Sequence, residues 1–89
     1  MRALFVGGTV DNSELDLDPG QLPTHYPDDT GSRVPRYDLY EVGHRDGEAV
    51  YAVYAAPGLS ADAVEQVIAE RDYPRRFGVD RRDQSMQRQ

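Results

Sequence analysis

Apolar positions along this chain fall into three spacings, and each predicts a different element. Positions 2–6, RALFV, form a short apolar run that ends at Gly7-Gly8. A run of that length against a strong breaker predicts a buried strand. Positions 36–56, RYDLYEVGHRDGEAVYAVYAA, carry aromatic and β-branched residues on both sides of Asp46-Gly47. A two-residue type I′ loop needs φ > 0 at both central residues, and Asp-Gly supplies that at low steric cost, so the stretch predicts a β-hairpin. From Ser60 the period becomes helical, with Ala61, Val64, Val67 and Ile68 on one stripe. Ser60 is a good N-cap, Asp62 and Glu65 suit the positive end of the helix dipole, and Pro74 is expected to stop the helix after about Tyr73.

The turn sets a register for the hairpin. Arg45 faces Glu48, Val42 faces Tyr51, Tyr40 faces Val53 and Leu39 faces Tyr54. One face then carries Tyr40, Val42, Ala49, Tyr51, Val53 and Ala55. The other carries Tyr37, Leu39, Glu41, Val50, Ala52 and Tyr54. The first is the more apolar and is expected to lie under the helix. A slip of one residue exchanges the faces. The second arm is apolar on both sides, as a central strand should be, and RALFV is its natural neighbour.

Between these elements lies Gly7 to Pro35, with four of the six prolines, four of the eight glycines and six acidic residues. Loops this long are usually functional or disordered. Here Val10, Leu15, Leu17, Leu22 and Tyr26 are spaced to pin the segment to the body. Ser13 to Asp18 alternates and reads as a short edge strand with Leu15 and Leu17 facing inward. The fold class is therefore α+β: a small antiparallel or mixed sheet of three strands, or four with the edge strand, and one amphipathic helix on one face. A single domain is expected over 1–79, with Phe77 and Val79 as its last anchors. Residues 80–89 read as a polar, frayed tail.

Composition narrows the functional classes. A chain of 89 residues buries only about 60–65% of its unfolded surface. The absence of cysteine excludes disulfides and thiolate metal sites. There is no apolar run of about 18 residues to cross a membrane, and the N-terminal apolar run is too short for a signal peptide, so a cytoplasmic protein is expected. All ten basic residues are arginine, which reads as the codon bias of a GC-rich genome. A net charge of -6 argues against direct nucleic-acid binding, which depends on neutralising phosphates.

The candidate chemistry is sparse. Asp11, Glu14, Asp16 and Asp18 have the oxygens that calcium or magnesium takes, but Gly20 lies six residues after Glu14 where an EF-hand needs its glycine five after the first ligand. They read as a solvated acidic loop, and no metal or other cofactor is expected. His25 and His44 are the only histidines, and neither belongs to a nucleophile motif. Gly7-Gly8-Thr9 follows a strand but lacks the later glycine and lysine of a phosphate-binding loop. The six tyrosines say more. Tyrosine joins apolar area to a hydrogen-bonding tip and is enriched at interfaces. Tyr40 and Tyr51 are expected in the core. Tyr37, Leu39 and Tyr54 lie on the face away from the helix, which either the long loop or another molecule must cover.

The segments FVGGTVDNSELDLD (5–18), RYDLYEVG (36–43), YAVY (51–54) and RDYPRRF (71–77) resemble short uncharacterised proteins of phages and prophages of GC-rich proteobacteria. The resemblance spans most of residues 1–77 and transfers no functional residue. It implies a context of small accessory proteins that bind a host or phage protein, inhibitors of host defence such as anti-CRISPR proteins among them, working in the host cytoplasm.

The expectation is a non-enzymatic accessory protein acting by protein–protein contact on a partner with a basic surface. Its contact residues are Tyr37, Leu39 and Tyr54, or Asp11, Glu14, Asp16 and Asp18. The alternatives are a small metal- or histidine-dependent hydrolase built on the 24–29 loop, with His25 beside Asp28 and Asp29, and a structural homodimer that pairs through an open sheet face.

Overall fold

The computed structural model describes residues 1–18, 22–26 and 36–79. In chain order its elements are β1 (Arg2–Val6), β2 (Glu14–Asp16), β3 (His25–Tyr26), β4 (Tyr37–Arg45), β5 (Glu48–Ala55), α1 (Ala61–Arg71) and α2 (Tyr73–Arg76). The five strands form one sheet in the order β2-β1-β5-β4-β3. β1 runs parallel to β5, and the other neighbours are antiparallel. The α+β class holds, but the sheet has five strands rather than three or four. β2 is the expected edge strand, and the addition is the two-residue β3, also drawn from the long loop.

Local chemistry explains most element ends. Asp46 and Gly47 have φ of 54° and 82°, as the type I′ turn requires. The Ser60 side chain accepts the Ala63 N–H at 3.1 Å and caps α1. α1 ends where Asp72 takes a left-handed conformation, φ 58° and ψ 41°. Pro74 does not close the helical region as expected. It sits in the first turn of α2, where its fixed φ fits and its missing N–H costs nothing. Phe77 and Val79 do anchor the segment: the Phe77 ring lies 5.3 Å from that of Tyr51, and Val79 is buried. The tail at 80–89 lies outside the described residues.

The hairpin register departs from expectation in its middle. Arg45 pairs with Glu48 and Leu39 with Tyr54, as the turn predicts. Between them Gly43 pairs with Tyr51, Val42 with Ala52 and Glu41 with Val53. Val50 on one strand and Tyr40 on the other are each left over, so two opposite irregularities cancel. The expected pairs Val42–Tyr51 and Tyr40–Val53 are therefore off by one. Val50 turns to the helix side and Val42 to the other face. Gly43 permits this, because a Cβ there would overlap the Tyr51 ring.

The sheet is covered on both faces. Under α1 lie Leu4, Val6, Tyr51 and Val53, packed on Val64, Ile68 and Tyr73. On the opposite face lie Ala3, Phe5, Tyr37, Ala52 and Tyr54, covered by Met1, Leu15, Leu17, Leu22 and Tyr26. The long loop supplies this second cover. Ala61 of the predicted stripe stays exposed, and so does Val10, which was expected to pin the loop. No helix among the described residues is long and apolar enough to cross a membrane.

Candidate functional site

The tyrosines expected to make a contact surface are structural. Tyr37 is 5% exposed and Tyr54 fully buried, while Leu39 is half-buried against the same cluster. Phe5 stands at the centre, with its ring centroid 5.3 Å from Tyr37, 5.4 Å from Tyr26 and 5.6 Å from Tyr54. The phenol tips hold the covering loop by its backbone. Tyr54 Oη donates to the Pro23 carbonyl at 2.8 Å. Tyr37 Oη donates to the Gly7 carbonyl at 2.6 Å and accepts the Val10 N–H at 3.1 Å. Burial, and next the neighbouring Tyr26, push the Tyr54 phenol above its usual pKa. An open Tyr37–Leu39–Tyr54 patch is thus excluded while the loop is in place.

The acidic run is not a free acidic face either. Arg71 Nη2 donates to both carboxylate oxygens of Asp11 at 2.9 Å, and Asp11 Oδ1 also accepts the Gly7 N–H at 2.7 Å. The Gly7 N–H first, and then Arg71, hold the Asp11 carboxyl below its ordinary value. Arg71 Nη1 reaches on to the Phe5 carbonyl at 3.3 Å and Tyr73 Oη at 3.0 Å. Arg76 forks onto Glu14 at 3.2 and 3.4 Å, and Arg2 Nε lies 3.4 Å from Asp16. Asp18 is exposed. Three of the four acids therefore clamp their arm to β1, α1 and α2. No group of three acidic or histidine side chains suited to a metal occurs among the described residues.

His25 Nδ1 lies 2.6 Å from Asp38 Oδ1 across β3 and β4, and both side chains are largely exposed. The carboxylate facing His25 is therefore Asp38. Asp28 and Asp29 lie outside the described residues. His44 is exposed beside the hairpin turn.

What remains is the place where the parallel strands β1 and β5 end together. Val6 pairs with Ala55, and the Ala56 N–H donates to the Val6 carbonyl at 2.9 Å. From there the chain leaves through two loops, 7–13 after β1 and 56–60 after β5. They approach closely because Gly7 has no side chain: a Cβ there would come within 2.6 Å of Leu59 Cδ1. Gly7 also has φ of 80°, which other residues rarely adopt. Two open clefts meet at Ala56. One, of about 270 Å³, has Asp38, Leu39, Tyr40, Leu59, Ala61 and Val64 in its wall. The other, of about 280 Å³, is lined by Gly8, Thr9, Tyr37, Ala56 and Pro57. The large apolar side chains exposed among the described residues are Val10, at 41%, and Leu59, at 39%. One stands in each loop.

The polar side chains in the wall of the first cleft are Asp38, which faces His25, and Tyr40. The Tyr40 hydroxyl donates to Glu65 on α1. Sequence reading missed this end of the molecule. The available signal was that Val10 and Leu59 are apolar residues inside turn-rich segments, where no helix or strand period requires them.

Comparisons of the chain with protein families, with curated proteins and with solved structures each return no significant match.

Proposed function

We propose that this chain is a non-enzymatic binding protein that works by protein–protein contact through the carboxyl ends of β1 and β5. Its context is that of small phage or prophage accessory proteins, with a host protein, including a component of host defence, as the target. One observation carries the reading: Leu59, an exposed large apolar side chain, lines one of two clefts that share Ala56 at this end of the sheet, and the exposed Val10 follows Thr9, which lines the other. Exposed apolar surface beside a cleft is where a partner can bury area.

The test compares capture of partners from nuclease-treated host lysate by the wild type, Leu59→Glu, Val10→Glu and Glu48→Gln. Glu48 opens β5 at the hairpin turn, at the far end of the strand from Ala55. The expected result is a stoichiometric partner retained by Glu48→Gln and lost by both loop variants. A partner held equally by all four would place the contact elsewhere.

One contact favours a second reading. Asp38 both faces His25 Nδ1 and lines the first cleft. A carboxylate on Nδ1 leaves Nε2 free to take a proton, the arrangement a general base uses. On that reading, a hydrolytic activity would be found that His25→Gln abolishes without affecting partner capture.

A further inference from the structure

We infer that Tyr37 is a positioning residue of the docking surface: its phenol fixes loop 7–13 so that Val10 already stands in place before a partner arrives. The inference rests on the docking surface proposed above and adds a residue that acts through the loop.

The loop is longer than its strands need. β1 and β2 are antiparallel neighbours, with Leu4 opposite Glu14. Two residues can join such a pair, as Asp46-Gly47 joins β4 to β5. Here the join takes seven residues, 7 to 13. From Gly8 to Ser13 all of them are exposed, so the extra length buries none of its own side chains.

The loop is nonetheless tied down by its backbone. The Gly7 N–H donates to Asp11 Oδ1 at 2.7 Å, the Asn12 N–H to the Phe5 carbonyl at 2.8 Å and the Ser13 N–H to the Val10 carbonyl at 3.0 Å. Tyr37 reaches in from β4 and closes the turn between these bonds. Its hydroxyl accepts the Val10 N–H at 3.1 Å and donates to the Gly7 carbonyl at 2.6 Å. A Cβ on Gly8 would overlap that hydroxyl, so the glycine leaves room for both bonds. Water can satisfy the backbone of an exposed loop, so these bonds are not needed to avoid orphaned groups. What they supply is a fixed shape. A loop already fixed, with its apolar residue exposed, avoids the ordering cost that a mobile loop meets on binding. The Tyr37 ring also lines the second cleft, and Tyr37→Phe keeps that ring while removing the bonds to the loop.

The experiment uses the full chain. Its probe is a peptide selected from a random library on the wild type and counter-selected on Val10→Glu and Leu59→Glu. Association and dissociation rates are read by surface plasmon resonance, and the Val10 amide by hydrogen exchange. In Tyr37→Phe the Val10 amide should exchange faster, and the peptide should bind about tenfold more weakly, as follows if about a tenth of the loops hold the docking shape. The loss should fall on the association rate, with dissociation unchanged. Asp11→Asn weakens the Arg71 clamp on the same loop and should show a smaller loss of the same kind. Tyr51→Phe removes a phenol bond to Glu41 on the helix side and should bind the peptide as the wild type does. Unchanged rates in Tyr37→Phe would overturn the positioning role and leave the docking surface standing. So would faster dissociation alone, the mark of a lost contact, or an equal loss in Tyr51→Phe. Failure to select any peptide that needs both Val10 and Leu59 would overturn the docking surface and the inference with it.

Discussion

One sheet is covered here in two different ways. On one face α1 lays a stripe of Val64 and Ile68 over Leu4 and Val53, and the contact is apolar packing. On the other face, segments without a helix cover Phe5 and Tyr54. They are held by phenol-to-carbonyl hydrogen bonds, stacked rings and arginine clamps. A helix satisfies its own backbone and need only bring apolar area. A loop has backbone groups to satisfy, so its cover must bring donors and acceptors as well. Tyr37 and Tyr54 do this on the loop side by bonding loop backbone, whereas the buried Tyr51 and Tyr73 of the helix side bond the side chains of Glu41 and Arg71. Among the described residues no buried side-chain polar atom lacks a partner.

The helix side should break hardest. Ile68 is fully buried, so Ile68→Ala should cost about 2–5 kcal/mol in urea unfolding, with both faces melting together. A smaller and more selective effect is expected from Tyr54→Phe, which removes the bond to Pro23 and keeps the ring. It should cost about 1 kcal/mol. It should also speed hydrogen exchange at Leu39, whose N–H bonds to the Thr24 carbonyl, while α1 amides keep their protection. Equal loss of protection on both faces would show that the covers are not separable.

The clamp at Asp11 gives a pH test with a definite sign. Its carboxyl is held below the unfolded value, so its contribution is present above about pH 4 and is lost as pH falls through the folded value. Asp11→Asn should be less stable at neutral pH and should lose less stability on acidification than the wild type, as read by melting temperature across pH 2 to 7. Matching slopes for the two proteins would remove the clamp from the account. The smallest effect belongs to Val10→Ser, which should stay within about 0.5 kcal/mol of the wild type because Val10 is 41% exposed. A larger loss would make Val10 part of the fold and weaken its assignment to docking.

The same contrast explains what the sequence revealed. Asp46-Gly47, the Ser60 cap and the RALFV run act on near neighbours, and each element stands where its pattern predicted. The loop cover was half legible: Leu15, Leu17, Leu22 and Tyr26 are spaced to face inward, and they do. Whether that cover would close over Tyr37 and Tyr54 depended on Phe5, which sits on another strand. The acidic run read as a solvated face because its partners are remote, with Arg71 sixty residues beyond Asp11. The doubled irregularity in the hairpin was hidden too, since Tyr40 and Val50 look like any strand residues and only Gly43 marks the place. The candidate site itself left only the faint signal of two apolar residues that fit no period.

The parallel pairing of β1 with β5 also sets an order of events during synthesis. Leu4 lies beside Val53, roughly fifty residues further on, so β1 leaves the ribosome long before its partner exists. The β4–β5 hairpin and α1 are built from near neighbours and can form as they emerge. β1 can pair early with β2, which follows it closely, but its other edge waits for β5. Until then one edge of β1 and the side chains of Leu4, Phe5 and Val6 lack their β5 neighbours, and such a nascent chain would suit chaperones that grip short apolar segments.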